Sequence, residues 1–159
     1  MAVEYFLKID GVKGESTKTN HVDEIELLSF SFGEDNAGTH SIGGGGGAGK
    51  VQMQDFHFTM NLNKASPALF LLCANGKHIP SAILTARKAG GEQKDYYIVT
   101  FTDLLISSYT TSGHADSNHL PIDTCAFNFA KIEIDYKVQD KSGNVATVGK
   151  VGYDLKQMK

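Results

Sequence analysis

The residues best suited to chemistry are a glycine run, six histidines, two cysteines and a few paired carboxylates. Ser41 to Lys50 reads SIGGGGGAGK, and Gly44 to Lys50 fits the opening of a phosphate-binding loop, G-x-x-x-x-G-K. Such a loop needs Ser or Thr next, to hold magnesium, and a helix whose N-terminus faces the phosphate. Val51 follows instead, and Val51-Gln52-Met53-Gln54 has a strand-like pattern, so nucleotide binding is rejected. The run reads as a loose connection, because glycine costs most to order. His114 and His119 flank Asp116 in a polar stretch with no cysteine nearby and no helical spacing, which favours a solvated loop over a metal site. His57 and Asp55 have the residue types of a base and its orienting acid, but no Ser or Cys nucleophile is placed beside them. Glu24 with Glu26, and Glu133 with Asp135, recur at the two-residue spacing of a strand's solvent face. Cys73 and Cys125 sit in apolar surroundings without CxxC spacing and read as reduced core thiols. No catalytic, metal-binding or cofactor-binding residue is assigned, and the chain is read as a non-enzyme.

What positions these residues is a chain of 159 amino acids, enough for one domain with one core. A net charge of −3 with interspersed signs gives no reason to expect nucleic acid or an anionic membrane as partner. The N-terminal residues show no basic segment, long apolar run or small-residue cleavage site, and nowhere is an apolar run long enough to span a bilayer. The expectation is a cytoplasmic protein which, if exported, leaves without a cleaved signal peptide.

Period-two alternation dominates. Val3 to Ile9 is a first strand, with Phe6 as the exception to its pattern. Glu24 to Gly33 is a second, in which Ile25 and Leu27 mark one face and Leu28, Phe30 and Phe32 the other. A phase shift in a strand demands a bend or bulge, here near Leu27–Leu28. The same shift falls between Val51, Met53 and Phe56, Phe58, and again between Cys125, Phe127, Phe129 and Ile132, Ile134, Tyr136. Further strands are expected over Phe56 to Leu62, Ile79 to Ala89, Asp95 to Ser108, Pro121 to Asp140 and Val145 to Leu155. Bends in long strands suit a barrel or a strongly coiled sandwich better than a flat sheet. The fold class is all-β with one short helix.

That helix is the centre of the sequence. Ser66 is expected to cap it, Pro67 to occupy its first position and Gly76 to end it. Ala68, Leu69, Phe70, Leu71, Leu72, Cys73 and Ala74 between them leave no polar side, so the helix needs cover all round. A neighbouring subunit is the favoured cover, with Leu69, Phe70 and Leu72 as interface candidates. The off-core strand positions are unusual too: Ser29, Ser31, His57, Thr59, Asn61, Ile98, Thr100, Thr102, Ala126 and Asn128 are largely small, neutral and polar, where a solvated face ordinarily carries more Lys and Glu.

Several segments are longer than chance supplies: Gln54-Asp55-Phe56-His57-Phe58, Lys64-Ala65-Ser66-Pro67, Gly76-Lys77-His78-Ile79 and Leu84-Thr85-Ala86-Arg87-Lys88-Ala89-Gly90-Gly91. With Tyr5-Phe6-Leu7-Lys8-Ile9-Asp10-Gly11, Asn128-Phe129-Ala130-Lys131-Ile132 and Gly152-Tyr153-Asp154-Leu155-Lys156, they resemble, collinearly and over nearly the whole chain, the Hcp family of bacterial type VI secretion. The resemblance implies one tube domain over residues 1–159, a partly closed β-barrel with one helix, assembled as hexameric rings that stack into a tube and are expelled from the cell. It implies a spike tip and a sheath as partners, and small secreted effectors as guests of the lumen. Ser29 and Ser31 would face that lumen. The loop from Gly33 to Lys50, with Gly43, Gly45, Gly47 and Lys50, would touch a neighbour in the same or the next ring. The competing expectation is a secreted β-barrel acting alone as adaptor or effector. A toxin domain appended after Leu155 is disfavoured, because only a few residues follow.

Overall fold

The structure, a computed structural model, describes residues 2–38, 50–90, 93–116 and 118–159. The elements are β1 (Val3–Ile9), β2 (Ile25–Leu27), β3 (Ser29–Ser31), β4 (Glu34–Asn36), β5 (Val51–Met53), β6 (Phe56–Asn61), α1 (Ser66–Asn75), β7 (Ile79–Lys88), β8 (Asp95–Ser112), β9 (Ile122–Gln139) and β10 (Val145–Asp154). All strand pairs are antiparallel. The main sheet runs β2-β1-β7-β8-β9-β6-β3, with β10 on the distal half of β9, and β4 and β5 form a separate two-stranded ribbon.

The expected bend near Leu27–Leu28 is what folds this sheet around. β2 pairs with β1 and β3 pairs with β6, at opposite ends of the strand order, yet Leu28 alone separates them in the chain. Its N–H donates to the carbonyl of Thr59 at 2.8 Å. The ladder does not close, but one kinked segment joins its two ends. Inside lie Phe56, Phe101 and Phe127, mutually 4.9 Å apart between ring centres, with Phe58 and Phe129 against them. All five side chains are buried. The tilted and edge-to-face arrangements are those that aromatic quadrupoles favour.

The long strands β8 and β9 change phase together. In β8 the buried residues are Val99 and Phe101, then Leu104 and Ile106; on the inward face of β9 the buried apolar residues are Cys125, Phe127 and Phe129, then Ile132. The two shifts face each other, because Phe101 pairs with Ile132 and Leu104 with Phe129. Between them Asp103 takes the left-handed conformation at φ 53. Aspartate tolerates that conformation better than most residues. Its carboxylate is held by His78 Nδ1 and Lys156 Nζ, each at 2.8 Å. Without this kink, the alternation would carry half of each strand's apolar residues to the outside.

Two local expectations are corrected. Ser66 is the first helical residue and not the cap; the N-cap is Ala65, which has no side-chain cap bond. Asn63 does that work instead, its Oδ1 accepting from the Ala65 N–H at 2.8 Å. Ser66 is buried, and its hydroxyl donates to Asp123 Oδ2 at 2.6 Å. Leu62 does not extend β6; the strand ends at Asn61 and Leu62 is exposed. Gly76 ends the helix as expected, at φ 61, its N–H reaching the Leu72 carbonyl at 3.1 Å.

Asp103→Val should cost roughly 1–2 kcal/mol in chemical denaturation, the penalty of forcing a side chain with a branched β-carbon into left-handed backbone. Asp103→Gly, which keeps the backbone and loses only exposed ion pairs, should cost clearly less. Equal losses would show that the ion pairs, and not the kink, set the cost.

Candidate functional site

Two exposed surfaces stand out. The first is the outward face of β3, β6, β9 and β8. Its cross-strand rows run Ser29–Thr59–Thr124–Thr110 and Ser31–His57–Ala126–Ser108, in which Ala126 is buried. Ser29 and Ser31 are both exposed, on either side of the inward Phe30. The Ser29 hydroxyl lies 2.6 Å from Thr59 Oγ1. Asn61 and Asn128 continue the face, also exposed. Four strands thus present a wall of ten small or polar side chains with no Asp, Glu, Lys or Arg among them. Hydroxyls both donate and accept, so such a wall holds water and offers weak contacts to either sign of charge.

The second surface is the outer side of α1. Leu69 is completely buried in its own chain's core, so it is not available to a neighbour, and Leu72 is half-buried against the same core. Phe70 and Leu71 remain 61% and 56% exposed. Phe70 leans edge-on to Tyr109, with ring centres 6.0 Å apart. The barrel therefore covers one side of the helix, and the uncovered side is Pro67, Phe70, Leu71 and Ala74, all exposed. Leaving a Phe or Leu in water forgoes roughly 1.5–3 kcal/mol per side chain.

Beneath the helix, Asp123 is buried and receives hydrogen bonds from Ser66 and, at 3.0 Å, from the Tyr109 hydroxyl. Burial raises the Tyr109 phenol above its ordinary value, and the neighbouring Asp123 adds to the rise. Cys125, also buried, is pushed up to about 12, first by burial and then by Asp123. Its thiol stays protonated at neutral pH and is no nucleophile. The Asp55–His57 pair does not form: Asp55 accepts from Ser107 Oγ at 2.6 Å, while His57 points along the polar wall. His114 and His119 line one shallow depression, and no group of three metal-ligating side chains occurs among the described residues. Lys50 is exposed just ahead of β5, whereas Gly43, Gly45 and Gly47 lie outside the described residues.

Sequence reasoning missed a buried polar cluster on the far side of β1. Arg87 is 1% exposed; its Nε donates to Glu4 Oε2 at 2.9 Å and its Nη1 to the Thr19 carbonyl at 2.8 Å. Its guanidinium lies 4.9 Å from the centre of the Phe6 ring, on which His21 is stacked at 4.3 Å. The ring nitrogens of His21 stand 3.0 Å from Glu24 and from Asp95. The cluster pins the segment between β1 and β2 onto the barrel. Phe6, the exception to the alternation of β1, was its one visible signal.

The fold and these surfaces define a class: a barrel-like β protein with one outlying helix, an exposed apolar stripe on that helix and a polar wall over four strands. A family model described as "Type VI secretion system effector, Hcp" matches residues 6–136. Protein hcp1 of Pseudomonas aeruginosa is 44% identical over 144 residues, covering 90% of this chain and 88% of that protein. The crystal structure of Hcp1 from Salmonella typhimurium is 36% identical, with a TM-score of 0.80 over 100% of this chain and 99% of that one. A structure described as a type six secretion system protein superposes with a TM-score of 0.93 at 29% identity, covering 99% of each chain. The chain belongs to the Hcp family of the type VI secretion system.

The Arg87 pair gives a pH dependence. Arg87, above all, holds the Glu4 carboxyl below its ordinary 4.5, against the opposing effect of burial. A carboxylate depressed on folding stabilises the fold above its unfolded value and loses that contribution as pH falls through the folded one. Urea midpoints of the wild type should therefore fall as pH drops below 4.5. Arg87→Met should lower the midpoint at neutral pH and flatten that fall; an unchanged acid slope would show that Glu4 contributes nothing to it.

Proposed function

We propose that the chain is the subunit of a type VI secretion inner tube. It acts as one tube domain over residues 1–159, closing into hexameric rings that stack head to tail and leave the cell with the spike tip, inside the contractile sheath. A head-to-tail contact repeats without limit, which is how a ring becomes a tube. The observation that carries this reading is the neutral polar wall spread over four adjacent strands, Ser29 to Thr110 in one row and Ser31 to Ser108 in the next. Turned inward in a ring, such a wall keeps the lumen wet and lets small secreted effectors bind and pass without a charge preference. The apolar outer stripe of α1 supports the same reading, since it asks for a neighbour. In this arrangement the segment from Gly33 to Lys50 touches an adjacent subunit, within or between rings. The family's place in type VI secretion supports export by that machine. The competing reading is a β-barrel adaptor working alone, and it leaves the helix stripe wet.

Light scattering over a dilution series separates the two. The ring predicts a mass six times that of the chain, holding as the protein is diluted; a persistent monomer would favour the adaptor. Ser31→Gln, at an exposed position, should leave stability within about 0.5 kcal/mol and the ring mass unchanged while altering retention of effectors. Loss of the fold in that variant would show that Ser31 does not face outward.

A further inference from the structure

The ends of β8 and β9 farthest from α1 hold a cavity of about 340 Å³. Three strand ends build it: Lys88 closes β7, Lys94 and Tyr96 flank the first residue of β8, and Tyr136, Lys137 and Asp140 lie where β9 runs out towards β10. Pairing brings them together. Arg87 stands opposite Asp95, which places Lys88 near Lys94, and Tyr97 stands opposite Tyr136, which places Tyr96 near Lys137. Among the described residues the wall carries three ammonium groups against one carboxylate. That carboxylate is engaged, because Asp140 Oδ1 accepts from the Ser142 and Asn144 N–H groups, each at 2.9 Å. Lys94 donates to the Gly143 carbonyl, which fixes it beside the same turn. Lys88 and Lys137 have no ion pair with a described residue, whereas Lys18, Lys150 and Lys156 each have a carboxylate partner. Lys137 is also half-buried, and a charge withdrawn from water without a partner is costly. This excess of positive charge runs against the net −3 of the chain.

We infer that this cavity binds a polyphosphate group, two or more linked phosphates taken up by Lys88, Lys94 and Lys137 with the hydroxyls of Tyr96 and Tyr136 as further donors. Ammonium groups only donate, and the oxygens of ionised phosphates only accept, so the two sets match. A lysine ammonium is a compact point charge that meets a phosphate from any side. Three such charges against one carboxylate call for more than one negative charge on the ligand. A phosphate chain supplies that, and a lone carboxylate does not. The tyrosines suit the role as well. Burial, above all, raises the Tyr96 phenol above its ordinary value, and the neighbouring Tyr5 and Tyr136 add to the rise. Its hydroxyl therefore keeps its proton at neutral pH and is able to donate. The cavity is built from one chain, so the site is independent of ring closure. A bound phosphate chain would tie together the ends of β7, β8 and β9.

The test is calorimetric titration of the full chain with inorganic pyrophosphate and, separately, with ADP, at constant ionic strength and neutral pH. Each probe is expected to saturate one site per chain. Lys88→Met and Lys137→Met should each weaken Kd by about tenfold or more, the loss of one charge-assisted hydrogen bond. Lys150→Met, which removes an ammonium paired with Glu133 outside the cavity, should bind as the wild type does. Equal affinity for the two probes would mean that the site reads phosphates alone; tighter binding of ADP would mean that the tyrosines also take the nucleoside. Both results support the site. Should Lys137→Met fail to fold, Lys88→Met, at an exposed strand end, decides by itself. The site is refuted if neither probe gives saturable heat with the wild type. It is refuted equally if all three lysine variants weaken binding alike, since that is attraction to surface charge and not to this cavity.

Discussion

The constraint on which the architecture depends is the paired change of phase in β8 and β9. Two eighteen-residue strands are far longer than a core of this size is wide. A straight pair would bury its apolar residues over part of its length and then run on into solvent. Asp103, in left-handed backbone opposite the step from Phe129 to Ile132, turns both strands so that the same side continues to face inward. The turned strands enclose a core built on Phe56, Phe101 and Phe127 at one level and extended by Ile132 and Ile134 towards the half of β9 that pairs with β10. The polar wall is the reverse side of the same event. Once the aromatic residues are committed inward, Ser108, Thr110, Thr124 and His57 have only the outside left.

A second device holds the opposite flank. The segment between β1 and β2 carries few apolar residues, and hydrophobic burial alone would not hold it down. Arg87 supplies the attachment. From inside the sheet it reaches a carboxylate on β1 and a backbone carbonyl in the segment, with its flat guanidinium against Phe6. Burying an arginine costs least when its donors are used; here Nε and Nη1 have partners, while the buried Nη2 finds none among the described residues. His21 adds a ring stacked on the same Phe6 and contacts with two acidic side chains from different parts of the chain. The arrangement fixes where β2 begins, and hence where the kink at Leu28 falls.

Much of this was legible in the sequence because β structure writes its faces in a period of two. The bend at Leu28, the step from Met53 to Phe56 and the step from Phe129 to Ile132 were each visible as broken alternation. The all-apolar helix was visible as a run with no polar side. The sequence could not say which side of that helix the barrel would claim, since every side is equally apolar; Leu69 went to the core and Phe70 to the surface by geometry alone. Nor could local patterns show that Ser66 would turn from capping its helix to bonding Asp123, because that partner is brought up by β9. The Arg87 cluster was hidden for the same reason: Glu4, Thr19, His21, Glu24, Arg87 and Asp95 are scattered along the chain, and no spacing rule joins them.

The polar wall and the apolar stripe occupy different elements and make different physical demands. The wall needs small neutral side chains that hold water and bind nothing tightly, so many substitutions among Ser, Thr and Asn satisfy it. The stripe needs particular shapes, because contact between apolar surfaces is worth its area only when water is excluded. In the ring proposed above, a chain with both can vary what its wall admits without disturbing how it meets its neighbours. The two surfaces are coupled mainly through the core between them. Tyr109 touches Phe70 on one side and, through Asp123, the first turn of the helix on the other, while the residue after it, Thr110, already belongs to the wall. A change at that junction would be felt on both surfaces; a change at Ser31 or at Leu71 would be felt on one.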